Sequence, residues 1–250
     1  MDNFVLPTNL EERLITLARE ASSAILDIYN TDFDVETKTD SSPLTLADMA
    51  AHKIIVKGLS ELTPDIPIIS EESVLPEFSE RSKWPTYWLV DPLDGTKEFV
   101  SRNGEFTVNI ALIRGNAPEV GVVCVPVQDR TYVGNTSTME ARVYSATGER
   151  PAKSRRFSEK PNEIKIVASR SHVSDELRAY LGSLDEIFSV VETISMGSSL
   201  KLCALADAEA DLYPRLGPTS EWDIAAAHAV LVAAGGQIYV RDGSPLTYNL

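Results

Sequence analysis

The sequence predicts an α/β fold, α+β in its first half and α/β in its second. Three observations predict it. Two helical apolar stripes precede a set of closely spaced strand-like runs. Strand and helix signals then alternate toward the C-terminus. At 250 residues the chain is long enough for a substantial core, as one large domain or two lobes.

Leu10, Leu14, Leu17, Ala21, Ile25 and Ile28 mark one face of a first helix. Thr8-x-x-Glu11 just ahead of it has the pattern of a capping box. A second helix follows Pro43, with Ala47, Ala51, Ile54, Ile55 and Leu59 as its stripe. Tyr87–Val90 reads as a short buried strand ending at Asp91. Thr107–Arg114, Glu119–Val125 and Arg130–Val133 follow, the first two joined by a Gly115-Asn116 hairpin turn. The polar stretch Pro151–Glu163 is a lobe boundary or a long surface loop, giving lobes 1–150 and 151–250. Beyond it, strands are expected at Ile164–Ala168, Val190–Thr193 and Asp211–Tyr213, and helices at Asp175–Leu181 and Ser198–Ala206. Ser220–Ala234 is a helix ended by Gly235-Gly236.

Apolar residues at 43% and charged residues at 24% give the balance of a soluble globular protein. No apolar run is long enough to span a bilayer, and Met1-Asp-Asn-Phe-Val lacks a secretory pattern. A cytoplasmic protein is expected. A net charge of −14 argues against nucleic acid as a partner, yet bound cations could reverse the sign locally for a small polyanion. Cys124 and Cys203, each among apolar neighbours, read as core residues.

Four acidic groups stand out: Asp48, Glu71-Glu72, Asp91 with Asp94, and Asp223. Two of them follow apolar strand-like runs, so they could converge at one sheet edge. Oxygen ligands without His or Cys suit magnesium, manganese or calcium. Two such cations could activate water and stabilise a leaving oxygen. Each group also has a plainer reading. Asp48 follows Thr45 by three and Asp223 follows Ser220 by three, so both could be helix caps. Glu71-Glu72 could be a solvated pair, and Asp94-Gly95 a simple turn. Asp91-x-x-Asp94-Gly95-Thr96 is harder to dismiss, because acids adjoining an apolar strand need cations or donors. Gly95 allows a tight turn, and a helix starting near Thr96 would offer free N–H groups to phosphate. Haloacid-dehalogenase-type phosphatases carry a similar Asp-x-Asp-Gly-Thr. Here position 92 is Pro and Asp91 lies one residue too far back, so an aspartyl-phosphate route is not expected.

These residues resemble the lithium-sensitive, magnesium-dependent inositol monophosphatase superfamily. Both of its signatures are present: Trp88-Leu-Val-Asp91-Pro-Leu-Asp94-Gly-Thr96 and Glu221-Trp-Asp223-Ile-Ala-Ala-Ala-His. Lys97-Glu98-Phe99, Met196-Gly-Ser-Ser-Leu-Lys201-Leu-Cys and Asp211-Leu-Tyr-Pro-Arg215-Leu-Gly-Pro-Thr are similar to its bacterial 3′(2′),5′-bisphosphate nucleotidase branch. The resemblance implies a layered αβαβα sandwich of the inositol monophosphatase/fructose-1,6-bisphosphatase type. It implies two or three Mg2+ held by Glu71, Asp91, the Leu93 carbonyl, Asp94 and Asp223, leaving Glu72 behind the ligands or at the surface. A water oriented by Thr96, with Asp48 as partner, would attack a 3′-phosphate lying on the Asp94-Gly95-Thr96 turn. No covalent phosphoenzyme is implied.

Ser198, Lys201 and Arg215 match positions that grip the nucleotide or its other phosphate, and His172 could stack on or bond to it. The plainer readings are a snorkelling Lys201, an Arg215 paired with an acid and a loop His172. The implied reaction converts adenosine 3′,5′-bisphosphate to AMP and phosphate, with its sulfated relative as a second substrate, in sulfur metabolism. The alternatives are an inositol monophosphatase or sugar bisphosphatase with the same metal site, or a non-catalytic metal- or nucleotide-binding module. Peripheral contact with the inner membrane is compatible with the resemblance.

Overall fold

The structure, a computed structural model, describes residues 6–31, 43–169 and 174–249. Helices α1 (Leu10–Tyr29) and α2 (Pro43–Leu62) bury the stripes that the sequence marks. Leu14, Ala18, Ala21 and Ile25 of the first, and Ala47, Ala51, Ile55 and Leu59 of the second, are inaccessible to solvent. The Thr8 capping box does not form. Asn9 holds the cap position without a side-chain bond, and the Leu10 amide donates to the Pro7 carbonyl at 3.1 Å. The backbone turn at Pro7 closes the helix start by itself. Glu11 is instead used elsewhere, accepting from Asn135 Nδ2 at 2.8 Å.

Strands β1 (Ile68–Ser70), β2 (Thr86–Asp94), β3 (Thr107–Arg114), β4 (Ala117–Val125), β5 (Arg130–Asn135), β6 (Glu140–Ser145) and β7 (Gly148–Pro151) form one sheet in sequence order. β1 runs parallel to β2, and every other pairing is antiparallel. Two short helices are interspersed, α3 (Phe78–Arg81) and α4 (Thr96–Val100). Gly115 and Asn116 have positive φ of 57° and 65°, as the two-residue hairpin between β3 and β4 requires. The β6–β7 hairpin is missing from the sequence reading. Pro151, which looks like the start of a linker, is the last residue of β7, an exposed edge strand where proline is tolerated.

Both faces of this sheet are covered, which is why β2 reads as a continuous apolar run. Trp88 and Val90 point into the core beneath α1 and α2. Tyr87 and Leu89 point the other way, toward α6 (Leu200–Ala206) and α7 (Glu221–Ala233). A second, parallel pair, β8 (Glu163–Ser169) and β9 (Val190–Met196), packs on α6 through Val167 and Ala204. Its Ile164 and Ile166 meet Leu184 of α5 (Asp175–Leu184). The layers are therefore α, β, α, β, α, as expected. Asp211–Tyr213 contributes only an isolated bridge from Leu212 to Ile166, too short for a strand. Among the described residues, no helix is long and apolar enough to cross a membrane. Cys124 and Cys203 are both buried and free.

Helix α7 is held at both ends. Asp223 Oδ2 accepts from the Ser220 amide at 3.1 Å, the carboxylate half of a capping box. Gly235, at φ 95°, and Gly236 return their amides to the Val232 and Leu231 carbonyls, the double bond of a Schellman ending. Between its ends α7 lies unusually close to the sheet. A Cβ on Gly121 would sit 2.1 Å from the Ala226 carbonyl oxygen, and one on Gly134 would sit 2.3 Å from Val230 Cα. Gly121→Ala should therefore push α7 off the sheet and destabilise the protein by about 1–3 kcal/mol. At roughly 2–4 °C per kcal/mol for a chain of this size, the melting temperature should fall by several degrees. An unchanged thermal melt would show that the helix has room to shift.

Candidate active site

The site begins at the end of β2. The strand does not stop at Asp91 but continues to Asp94 through a bulge. Asp91 lies opposite Asn109, and Asp94 opposite Thr107. Residues three apart on a regular strand point to opposite faces; the extra residue of the bulge brings these two to the same one. Pro92 has no N–H to offer the ladder, and the Leu93 amide turns back to Asp91 Oδ1 at 3.0 Å. Gly95 follows at φ 95°, where a Cβ would lie 3.2 Å from the Glu105 carbonyl oxygen, Phe106 Cα and Ser198 Cβ. Helix α4 starts at Thr96, as expected, leaving Thr96 exposed at the turn and burying Glu98 and Phe99.

The other acids arrive from three separate elements. Because β1 and β2 are parallel, with Ser70 opposite Val90, their carboxyl ends lie side by side. The Glu71 amide donates to the Val90 carbonyl at 3.1 Å, and the Glu71 carboxyl meets that of Asp91. Asp48 projects from α2 and contacts Glu72. Thr45 lies inside that helix rather than before it, so the Thr45–Asp48 capping pattern does not hold. Asp48 is only 7% exposed, and its Oδ1 has no partner among the described residues. Asp223, in the first turn of α7, does cap its helix and also accepts from Thr219 Oγ1 at 2.8 Å. Its charge acts on Glu71, Asp91 and Asp94 as well.

Gathering Asp48, Glu71, Asp91 and Asp94 away from water raises their proton affinity. Burial, then the charges of Asp94, Glu71, Asp223 and Asp48, hold Asp91 well above the usual carboxylate range. Burial and Glu72 push Asp48 up to about 8. Burial and Asp223 push Asp94 up to about 7, against the pull of Lys201 and the Ser199 amide. Glu71 is raised by burial and by Asp223, although its side chain keeps substantial contact with solvent. Among the described residues, no three His, Cys, Asp or Glu side chains already surround one point tightly enough to hold an ion. The donor set nonetheless fits hard divalent cations. It consists of carboxylate oxygens, it leaves Asp48 Oδ1 unpartnered, and its mutual repulsion is what a cation would relieve.

In front of the acids lies a cleft of about 190 Å³. Asp94, Thr96, Asp223, Ser198, Lys201 and Arg215 all line it. Lys201 is 4% exposed, so it does not snorkel to the surface. Its Nζ donates to the Ser198 carbonyl and lies 5.5 Å from the Tyr213 ring centre. Burial, partly offset by Asp94, lowers it to about 8. Arg215 stays exposed and donates to the Tyr213 hydroxyl and the Pro218 carbonyl, with no acid paired to it among the described residues. Ser198 and Ser199 precede α6 instead of opening it, and Ser198 takes a positive φ of 46°. His172 lies outside the described residues. The sequence reading missed Glu105, which accepts from the Gly197 amide at 2.8 Å, and Glu98, against which Gly197 packs too closely to carry a Cβ. It also missed Tyr213 and Ser199. Glu98, Ser199 and Tyr213 stand inside motifs quoted from the sequence, but their contacts with the site come only from the fold.

A layered αβαβα sandwich with buried acids at the strand ends and a phosphate-sized cleft before them defines a metal-dependent phosphatase class. The description of the inositol monophosphatase family matches residues 7–250. The 3′(2′),5′-bisphosphate nucleotidase CysQ of Escherichia coli is 48% identical over 241 residues, 95% of this chain and 93% of that protein. The crystal structure of CysQ from Bacteroides thetaiotaomicron superposes with a TM-score of 0.87 at 39% identity, covering 96% of this chain and 92% of that one. Mycobacterium tuberculosis SuhB shares the fold, with a TM-score of 0.73 at 24% identity over 97% and 90% of the two chains. The chain belongs to the inositol monophosphatase family.

The raised carboxylates make stability depend on pH. They bind more protons folded than unfolded, so their contribution is complete below about pH 4 and lost as pH rises through 7 and 8. Chelator-treated protein should therefore melt lower at pH 8 than at pH 6. Magnesium, replacing the lost protons, should raise the melting temperature more at pH 8. An equal magnesium effect at both pH values would contradict this electrostatic account.

Proposed function

We propose that this chain is a magnesium-dependent 3′(2′),5′-bisphosphate nucleotidase. Its reaction releases the 3′-phosphate of adenosine 3′,5′-bisphosphate, giving AMP and phosphate, and extends to the sulfated analogue. The observation that carries this reading is a cleft lined by side chains of both signs: the anionic Asp94 and Asp223 and the cationic Lys201 and Arg215. A monophosphate leaves the cationic pair without a partner. A bisphosphate occupies both pairs. The name borne by the Escherichia coli relative supports the same substrate class.

Glu71, Asp91, the Leu93 carbonyl, Asp94 and Asp223 would hold two or three Mg2+. Such ions lower the pKa of water and neutralise charge on the transferring phosphoryl group. The chain's own groups supply orientation. Thr96 can accept a hydrogen bond from the attacking water while donating its hydroxyl proton to Asp48, whose unpartnered Oδ1 is a free acceptor. The first amides of α4, with Gly95, would donate to the phosphate oxygens. Attack is then in line: the water oxygen bonds to phosphorus as the 3′-oxygen leaves. Lys201 and Arg215 bind the other phosphate, and Ser198 and His172 complete the nucleotide contacts. In this assignment lobe 1–150 supplies most of the metal ligands. Lobe 151–250 supplies nucleotide contacts and Asp223. The reaction is assigned to the cytoplasm.

Phosphate release should be fastest from adenosine 3′,5′-bisphosphate in a magnesium-containing panel with its sulfated analogue, inositol 1-phosphate and fructose 1,6-bisphosphate. Comparable or faster turnover of inositol 1-phosphate would overturn the assignment. Asp94→Asn should lower kcat by roughly a hundredfold or more with the fold intact, reflecting a few kcal/mol of lost stabilisation. Lys201→Ala and Arg215→Ala should each raise KM for the bisphosphate roughly tenfold, the strength of a charged hydrogen bond. Their effect on monophosphates should be smaller; equal effects on both substrate types would remove the second-phosphate role.

A further inference from the structure

The two acids at the β2 bulge stand on a polar platform that the reaction scheme does not use. Their partners across the ladder are Asn109 for Asp91 and Thr107 for Asp94. Both side chains are essentially inaccessible, at 1% and 0% exposure. One hydroxyl joins them. Ser199 Oγ donates to Asn109 Oδ1 at 2.8 Å and lies 2.8 Å from Thr107 Oγ1. A serine hydroxyl has one proton, so with that proton on Asn109 the Thr107 hydroxyl donates to Ser199. The amide of the same Ser199 donates to Asp94 Oδ2 at 2.5 Å. Asn109 Nδ2 is buried without a partner among the described residues. A buried amide in an apolar strand is costly unless it is used.

We propose that Asn109, Thr107 and Ser199 are positioning residues that fix the Asp91–Asp94 pair, so that affinity for the divalent cation depends on them. The chain of contacts runs from β3 through the Ser199 hydroxyl to the Ser199 amide and on to Asp94. Asn109 is placed opposite Asp91 at the other end. The platform also ties the pair to the loop that carries Ser198 and precedes Lys201, so the acidic and cationic residues of the cleft share one support. Groups that orient metal ligands change metal affinity or activity by about 10–100-fold when removed. The inference rests on the reading of Asp91 and Asp94 as cation ligands.

The test is direct titration of chelator-treated full-length protein with Mn2+, followed by electron paramagnetic resonance or calorimetry. Asn109→Ala and Thr107→Val should each weaken Mn2+ binding by roughly tenfold. Thr107→Ser, which keeps the hydroxyl, should stay close to the wild type. Folded Asn109→Ala that binds Mn2+ like the wild type would overturn the inference, as would Thr107→Ser binding as weakly as Thr107→Val. Should Asn109→Ala not fold, the Thr107 pair decides. If the wild type itself binds no Mn2+, the metal reading fails and this inference with it. Normal wild-type binding with indifferent variants sinks the inference alone.

Discussion

Asp91 is a carboxylate at 1% exposure, with four others acting on it: Asp94, Glu71, Asp223 and Asp48. That concentration of like charge is the constraint on which the rest of the structure depends. Burying one unpaired carboxylate is unfavourable, and burying several together is more so. The fold carries this burden with an extensive apolar framework. Trp88, Val90, Tyr87 and Leu89, immediately before Asp91, are packed on both sides of the sheet. The strand is anchored where the charge is stored, and Trp88 Nε1 reaches Thr63 Oγ1 at 2.8 Å to fix it further.

The acids come from α2, the end of β1, the bulge of β2 and the first turn of α7, four elements spread over most of the chain. Each is delivered by an ordinary structural rule. Parallel pairing puts Glu71 beside Asp91, a bulge turns Asp94 to the same side, and helix capping orients Asp223. The α7 contribution depends on its close seat over Gly121 and Gly134. It depends also on a clasp from the C-terminal segment, where the Asn249 amide donates to Glu221 Oε1 and Tyr248 bonds His228. Asp223 shows that one residue can cap a helix and add its charge to the acidic cluster. One oxygen serves the helix while the charge serves the cluster.

The cationic side of the cleft follows a different logic. Lys201 is buried on a helix whose other residues are apolar, beside Tyr213 and the Ser198 carbonyl. Its ammonium is held in place by the fold, whereas Arg215 stays exposed. The loop before Lys201 is held by Glu105 and packs against Glu98, two acids outside the cluster around Asp91. Acidic residues here therefore serve two separate ends, which the net charge of −14 cannot distinguish.

Much of this was determined by the sequence alone. Helical periodicity placed α1, α2 and α7, and apolar runs placed β2 to β4 and β8, because each buries a regular face. The Asp91–Thr96 and Glu221–His228 motifs gave the family, later matched over residues 7–250. Local pattern could not reveal where its rules compete. Thr8 lost the α1 cap to a backbone turn at Pro7, and Asp48 proved to be a buried acid where its spacing from Thr45 favoured a cap. The strand ran past Asp91 through a bulge, where one extra residue lets pairing resume at Asp94 opposite Thr107, a register that the apolar run ending at Val90 does not reveal. Tertiary structure alone decided that Lys201 is buried and that Asn109, Thr107 and Ser199 meet beneath the two aspartates. Those contacts join residues about 90 apart in the chain, so only the packing of α6 and its preceding loop against β3 brings them together.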